Sequence, residues 1–245
     1  MIIPALDLMD GNVVRLYQGS YNKKLNYDID PFLHIKKYTE EGAKLIHLID
    51  LNGTKNPNKR QIHLLKNLLK NIDVCIQIGG GIRTKNDVKM LLDSGANRVV
   101  IGSMAVKNHE EVKKWFIEFG SQHIVLAIDI RIDVNYSKKV AIDGWQNTSN
   151  TTIEEIIKNF QSVGLRYVLC TDIYRDGTLL GPNINLYKEM IEKFPKIIFQ
   201  SSGGISSLND IISLRNIGVQ SIIVGRALLE NKFTLLEAIK CWQKE

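Results

Sequence analysis

One stretch of this chain occurs twice. Gln77 to Ser103 (QIGGGIRTKNDVKMLLDSGANRVVIGS) aligns without a gap on Gln200 to Arg226 (QSSGGISSLNDIISLRNIGVQSIIVGR), 123 residues further on, sharing the glutamine, a Gly-Gly-Ile, an Asn-Asp, a leucine and two more glycines. Ala5-Leu6-Asp7 falls in the same way on Ala127-Ile128-Asp129, and Asp50 on Asp172, each pair 122 apart in a chain of 245 residues. The chain therefore reads as two halves in tandem, about 1–122 and 123–245. Its fold must be one that two like halves complete together.

Short β-branched runs alternate with amphipathic, lysine-bearing stretches throughout. The runs are IIPAL, KLIHLID, VCIQIG, RVVIG, HIVLAID, RYVLCTD, KIIFQSS and SIIVG. Helical spacing is read between them in DPFLHIKKYTEEGA, KRQIHLLKNLLKN, TKNDVKMLLDSGA, NHEEVKKWFIEFG, TIEEIIKNFQSVG, NINLYKEMIEKF and SLNDIISLRNIG, and in a last stretch around KFTLLEAIKCWQ. Eight such units average about 31 residues, the size of one strand, one helix and two short loops. Strands apolar along their whole length belong to a parallel sheet covered by helices. Eight of them, made as four plus four, favour a single closed (βα)8 barrel over an open sheet. Pro4 counts against the first strand, because proline lacks a ladder donor.

Composition narrows the function classes. The chain is 44% hydrophobic and 24% charged with five prolines, an ordinary globular mixture. No apolar run reaches the length of a membrane span, and MIIPALDLMD lacks the basic region and cleavage site of a signal peptide, so a cytosolic protein without a membrane partner is expected. Cys75, Cys170 and Cys241 are far apart among apolar residues and read as reduced packing residues. The five histidines show no metal-ligand spacing, and no metal site is expected. The net charge of +6 is spread over helix-like segments and broken by acids, which disfavours a nucleic-acid partner and suits attraction of small anions. A monomer is expected.

In a βα barrel the site forms at the C-terminal ends of the strands. Gly79-Gly80-Gly81 ends the third run, Gly102-Ser103 the fourth, Gly203-Gly204 the seventh and Gly225-Arg226 the eighth. Glycines there let backbone N–H groups approach an anion, with a helix N-terminus behind them. A Cβ added at Gly81 or Gly204 is expected to sit where the anion would. Two anion cradles on opposite sides of the mouth suit an elongated ligand with a phosphate at each end. Asp7 and Asp129, also opposite each other, supply the pair of carboxylates that a general base and a general acid require. The long loop after the first run carries Arg15 and Gln18, and the one after the fifth carries Gly144-Trp145; both read as lids. Arg15 and Arg83 are candidate phosphate or carboxamide partners. Thr171 and Asp172 end the sixth run, Asp176 reads equally as an acid or a turn residue beside Gly177, and His47 reads as a core histidine.

Taken together, IIPALDLMDGNVVRLYQG, QIGGGIRT, IGSMAV, DGWQ, CTDIYRDGTLLGPN, FQSSGGI and IVGRALLE closely resemble the phosphoribosylformimino-5-aminoimidazole carboxamide ribotide isomerases of histidine biosynthesis, nearly end to end. The resemblance implies a duplicated half-barrel that performs an Amadori rearrangement, aldose to ketose, on a bisphosphate, without a cofactor. By motif match it gives Asp7 as base and Asp129 as acid, with Thr171 assisting. It puts the phosphates on Gly80, Gly81, Gly102, Ser103, Gly203, Gly204, Gly225 and Arg226. Arg15, Gln18, Arg83, Trp145 and Gly177 complete the expected substrate-binding set. The nearest alternative is the paralogous cyclase that makes imidazole glycerol phosphate, which reads Cys at the place of Ala5 and Lys at that of Arg15. A non-enzymatic anion or nucleic-acid binder is the alternative from another class; salt would abolish its binding, and it would show no turnover.

Overall fold

The computed structural model describes residues 1–243. In chain order its strands are β1 (Ile2–Met9), β2 (Asn12–Tyr17), β3 (Ser20–Tyr27), β4 (Leu45–Asp50), β5 (Cys75–Gly79), β6 (Arg98–Ile101), β7 (Ile124–Ile132), β8 (Lys138–Ile142), β9 (Asn147–Thr152), β10 (Tyr167–Asp172), β11 (Ile198–Ser202) and β12 (Ser221–Val224). Eight of them, β1, β4, β5, β6, β7, β10, β11 and β12, pair in parallel in that order. The ring closes where Ile2, Ile3 and Pro4 of β1 meet Ile222, Ile223 and Val224 of β12. The result is a (βα)8 TIM barrel. Each of the eight apolar runs is one of its strands.

Pro4 is tolerated because of where it sits in the two ladders. It forms the last pair with β12, while pairing with β4 begins one residue later at Ala5.

Helices α1 (Pro31–Glu40), α3 (Ile62–Asn71), α4 (Lys85–Asp93), α6 (His109–Phe119), α7 (Ile153–Gln161), α8 (Ile184–Lys193), α9 (Leu208–Asn216) and α11 (Leu235–Gln243) coat the barrel where helical spacing was read. Their starts are written in the sequence. Thr84 with Asp87, Thr152 with Glu155 and Ser207 with Asp210 form reciprocal capping boxes, and Asp30 caps α1 with Pro31 in its first turn. Three short helices were not anticipated: α2 (Leu51–Lys55), α5 (Ser103–Lys107) and α10 (Arg226–Leu229). The last two begin directly after Gly102 and Gly225.

The two long loops expected after the first and fifth strands are β-hairpins. Val13, Val14 and Leu16 of β2 are buried, and β3 pairs back onto β2. Asp10-Gly11 and Gln18-Gly19 make the two turns, all four residues at positive φ, the conformation that matches the twist of adjoining strands. In the second half β7 runs on into an antiparallel pairing with β8, which turns into β9 through Asp143, Gly144 and Trp145.

Period two along each strand divides the core. Leu6 and Leu8 of β1 face the helices in the main apolar cluster, whereas Ile3 and Ala5 face inward with Leu45, Val100, Val125, Tyr167, Leu169 and Ile223. One step above this apolar floor the inward positions turn polar. Asp7 follows Ala5, Asp129 follows Ala127, and Thr171 follows Leu169. In the middle, Gln77 and Gln200, fully buried and 123 residues apart, donate to each other's side-chain carbonyl at 2.8 and 3.1 Å. His47 Nδ1 lies 3.0 Å from Gln77 Nε2 and is buried, in line with a core histidine. Cys170 is buried and Cys241 half-buried, but Cys75 is exposed at the start of β5, so the packing role expected of it does not hold. All three thiols are free. No described helix is long and apolar enough to cross a membrane.

The reciprocal glutamine pair generates a stability prediction. Gln77→Leu strands the Gln200 amide in an apolar interior, and Gln200→Leu does the converse. Each single change is expected to lower unfolding free energy by about 1–3 kcal/mol, the cost of an unsatisfied buried polar group. The double variant should lose less than the sum of the two, as urea unfolding of all four proteins would measure.

Candidate active site

A cavity of about 320 Å³ opens at the C-terminal ends of the barrel strands. Asp7 and Asp129 line it from opposite sides, because β1 and β7 are four places apart in a ring of eight. Thr171 on β10 stands beside Asp129, its register partner. Asp176 reaches the cavity from the turn after β10 and is buried.

The two aspartates have different company. Asp7 Oδ2 accepts from Arg15 Nη1 at 3.1 Å, and the Nη2 of the same guanidinium grips Asp176 Oδ1. Burial pushes the Asp7 carboxyl above its ordinary range, Arg15 pulls it back, and the Asp176 charge pushes it up again. Burial also works against the Arg15 charge, but the two carboxylates outweigh it and raise the pKa of the guanidinium. Asp129 Oδ2 instead accepts from the Trp145 indole N–H at 2.8 Å. Burial raises this carboxyl too; the Trp145 and Thr171 hydrogen bonds lower it, and the Asp176 charge raises it. Asp129 thus has neutral donors where Asp7 has a cation. Beneath them, burial and the nearby Arg15 lower His47 to about 3, so its imidazole is neutral at pH 7.

The glycine ends lie on either side of this centre. Gly80, Gly81, Gly102 and Ser103 line one end of the cavity with Arg83 and Lys107, and Gly203, Gly204, Gly225 and Arg226 line the other with Gly177. Arg226 Nε holds Glu230 at 2.6 Å while its Nη1 donates to the Gly177 carbonyl. On the opposite side Lys107 Nζ holds Asp143 at 2.5 Å, and Ser103 Oγ accepts the Asp143 N–H at 2.8 Å.

One expectation about the glycines is corrected. A Cβ on Gly81 would run into the backbone carbonyl of Gly53, and one on Gly204 into that of Gly181, rather than into the cavity. Close backbone packing at positive φ makes these positions glycine. A side chain placed there would break the loop before it could repel an anion.

A model of the histidine biosynthesis protein family matches residues 1–234. The chain belongs to that family. It is 60% identical over 243 residues to a protein of Proteus mirabilis (strain HI4320), covering 99% of both chains. Proteins of Klebsiella pneumoniae subsp. pneumoniae and Photorhabdus laumondii subsp. laumondii are each 56% identical to it over the same length, again with 99% of both chains covered. The Proteus and Klebsiella proteins are named 1-(5-phosphoribosyl)-5-((5-phosphoribosylamino)methylideneamino) imidazole-4-carboxamide isomerase.

Within this family member the structure brings together sixteen of the seventeen residues singled out from sequence. Gln18 is the exception: it is exposed on the turn between β2 and β3, does not line the cavity, and donates to the Tyr174 carbonyl at 3.3 Å. Asp50 and Asp172 cap and brace the chain after β4 and β10, accepting from Gly53 and Gln61 and from Tyr174 and Asn183. Sequence reading missed Lys107, Tyr21 and Thr54, all of which line the cavity. Lys107 sits one turn beyond the Gly102-Ser103 pair, a spacing that could have flagged it.

The two hairpins meet above the site. Gly19, at the turn between β2 and β3, lies so close to Trp145 that a Cβ would run into the indole ring. Gly19→Ala should therefore part the hairpins and loosen Trp145 over Asp129. The expected outcome is a rise in KM of about tenfold, as for a displaced lid, with a thermal midpoint lower by a few degrees, about what a strained alanine at positive φ costs a chain of this size. Steady-state kinetics and a thermal melt check both halves of this statement.

Proposed function

We propose that this chain is the aldose–ketose isomerase of histidine biosynthesis, rearranging an N-phosphoribosyl formimino imidazole carboxamide ribotide to its phosphoribulosyl isomer by aspartate acid–base catalysis. Family membership carries the pathway, and the names of the Proteus and Klebsiella proteins carry the reaction class. The single observation that supports the mechanism is the pair of unlike carboxyls facing each other across one cavity, Asp7 beside Arg15 and Asp129 beside Trp145.

The neighbours assign the roles. A cation favours the ionised form of Asp7, which suits the base, while Asp129 is raised by burial with no cation on its carboxylate, which suits the acid. Asp176 shares Arg15 with Asp7 and so is the weaker candidate for the acid. Asp129 gives its proton to the ribose ring oxygen as the nitrogen lone pair expels it from C1′, leaving a protonated imine at C1′. Asp7 removes the C2′ proton to form an enolamine. The proton held by Asp7 is returned to C1′ and the C2′ hydroxyl proton goes to the ionised Asp129, which yields the ketose and restores both carboxyls. The protons given and taken balance, so the product is an isomer of the substrate, and no cofactor enters the scheme.

The glycine ends supply the binding. A substrate with a phosphate at either end spans the cavity, one on the Gly80-Gly81 side and one on the Gly203-Gly204 side, with its middle between the aspartates. Two tethered anions share one ordering cost, so a bisphosphate should bind far more tightly than either half. The equivalent placement of these loops in the two halves of the chain supports a duplicated half-barrel.

Asp7→Asn is expected to lower kcat by at least about 100-fold while KM stays within about tenfold, the worth of a positioned proton acceptor. Retained turnover would exclude Asp7 as base. Asp129→Asn should also abolish most activity, and here stability supplies a second readout. A carboxyl raised by burial stabilises the fold while protonated and loses that contribution as pH rises through its elevated range. Above the range in which the unfolded chain loses this proton, Asp129 is therefore a net cost to the fold, whether it stays protonated or ionises. The asparagine variant, which can still accept from Trp145, is expected to melt no lower than the parent, and its stability should depend less on pH above about 4.

A further inference from the structure

Arg60 is not among the residues that line the cavity, yet it touches the part of the wall that matters most. It follows the 3₁₀ turn Pro57–Lys59, with its own N–H bonded to the Pro57 carbonyl at 3.2 Å. Its side chain is 4% exposed. From behind the first glycine loop Nη1 donates to the Gly80 carbonyl at 3.0 Å and Nη2 to the Gly81 carbonyl at 2.7 Å. Asp87 Oδ1, 3.5 Å from Nη2, supplies the counter-charge. Asp87 is itself fixed by accepting the N–H groups of Arg83 and Thr84 at 3.0 and 2.9 Å.

A buried guanidinium spent on two backbone carbonyls has a geometric consequence. The peptide unit is planar, and in its trans form C=O and N–H point in opposite directions; no peptide bond among the described residues is cis. Drawing the carbonyls of Gly80 and Gly81 back toward Arg60 turns the N–H groups of Gly81 and Ile82 the other way. Both residues line the cavity. We propose that Arg60 is a positioning residue that fixes the first glycine loop with its amides aimed at the ligand. This rests on reading that loop as an anion cradle.

The opposite end is built differently. There the Gly204 carbonyl accepts the backbone N–H of Gly181 at 2.9 Å, so main chain does what a side chain does at the first loop. The proposal is therefore one-sided: loss of Arg60 should impair the first end and leave the second intact. That is a sharper expectation than general destabilisation.

The test uses Arg60→Met, which keeps length and removes every donor, and Arg60→Lys, which keeps the charge but cannot fork to two carbonyls. Inorganic phosphate is soaked into crystals of the parent and of both variants, and kinetics are measured on the same proteins. The expected result for Arg60→Met is phosphate at Gly203-Gly204 but not at Gly80-Gly81. Its KM should rise at least about tenfold with kcat within about threefold, the pattern of lost binding contacts away from the reacting atoms. Arg60→Lys should fall between it and the parent. Phosphate at both loops with unchanged KM in Arg60→Met would overturn the role of Arg60, as would equal loss at both loops. Parent crystals that bind phosphate at neither loop would overturn the cradle reading itself, and the proposal with it.

Discussion

The placement of every group at the mouth of this barrel depends on the ladder that joins its first strand to its last. Pairing of β1 with β12 turns a sheet into a ring, and only in a ring do β1 and β7 come to face each other. Closure also fixes which side chains point inward. With alternation set by the pleat, Ile3 and Ala5 fill the floor and Asp7 stands above them, as Val125 and Ala127 do beneath Asp129. A slip of one residue in either strand would carry its aspartate to the helix side.

Burial makes these carboxyls useful and costs stability. The same apolar floor that packs the ring desolvates Asp7 and Asp129 and moves both above the usual carboxylate range. Arg15 and Trp145 then set the two apart, one by charge and one by a neutral hydrogen bond. Neither partner lies on a barrel strand: Arg15 is on β2 and Trp145 follows β8. The hairpins tune the barrel's own residues, and their contact at Gly19 holds both tuning groups under one roof.

Much of this was legible in the sequence. Strands buried on both faces are continuous apolar runs, and the eight barrel strands announce themselves that way. Aspartates and glycines at the ends of those runs then mark the site. What escaped was structure whose signal is weak over a short span. The strand β3, SYNKKLNY, is half exposed and polar, so it reads as loop, although Asp10-Gly11 before β2 and Asp143-Gly144 after β8 are turn pairs that favour hairpins. Helices of four or five residues such as α10 and α5 show no period. Arg60 escaped because its target is backbone, which no residue pattern reports. Gln18 misled because a polar side chain three residues from Arg15 sits on an exposed turn and bonds the Tyr174 carbonyl outside the cavity.

The unlike partners of the two central aspartates carry a consequence for how a ligand is oriented. A mouth with true twofold symmetry would accept a molecule with two similar ends equally well in either direction, and under the roles proposed for Asp7 and Asp129 only one direction would bring the reacting carbon to the base. Here Asp7 has Arg15 and Asp129 has Trp145, one glycine loop is held by Arg60 and the other by Gly181, and Lys107 on one side answers Arg226 on the other. These departures from equivalence give the mouth a polarity by which its two ends can be told apart.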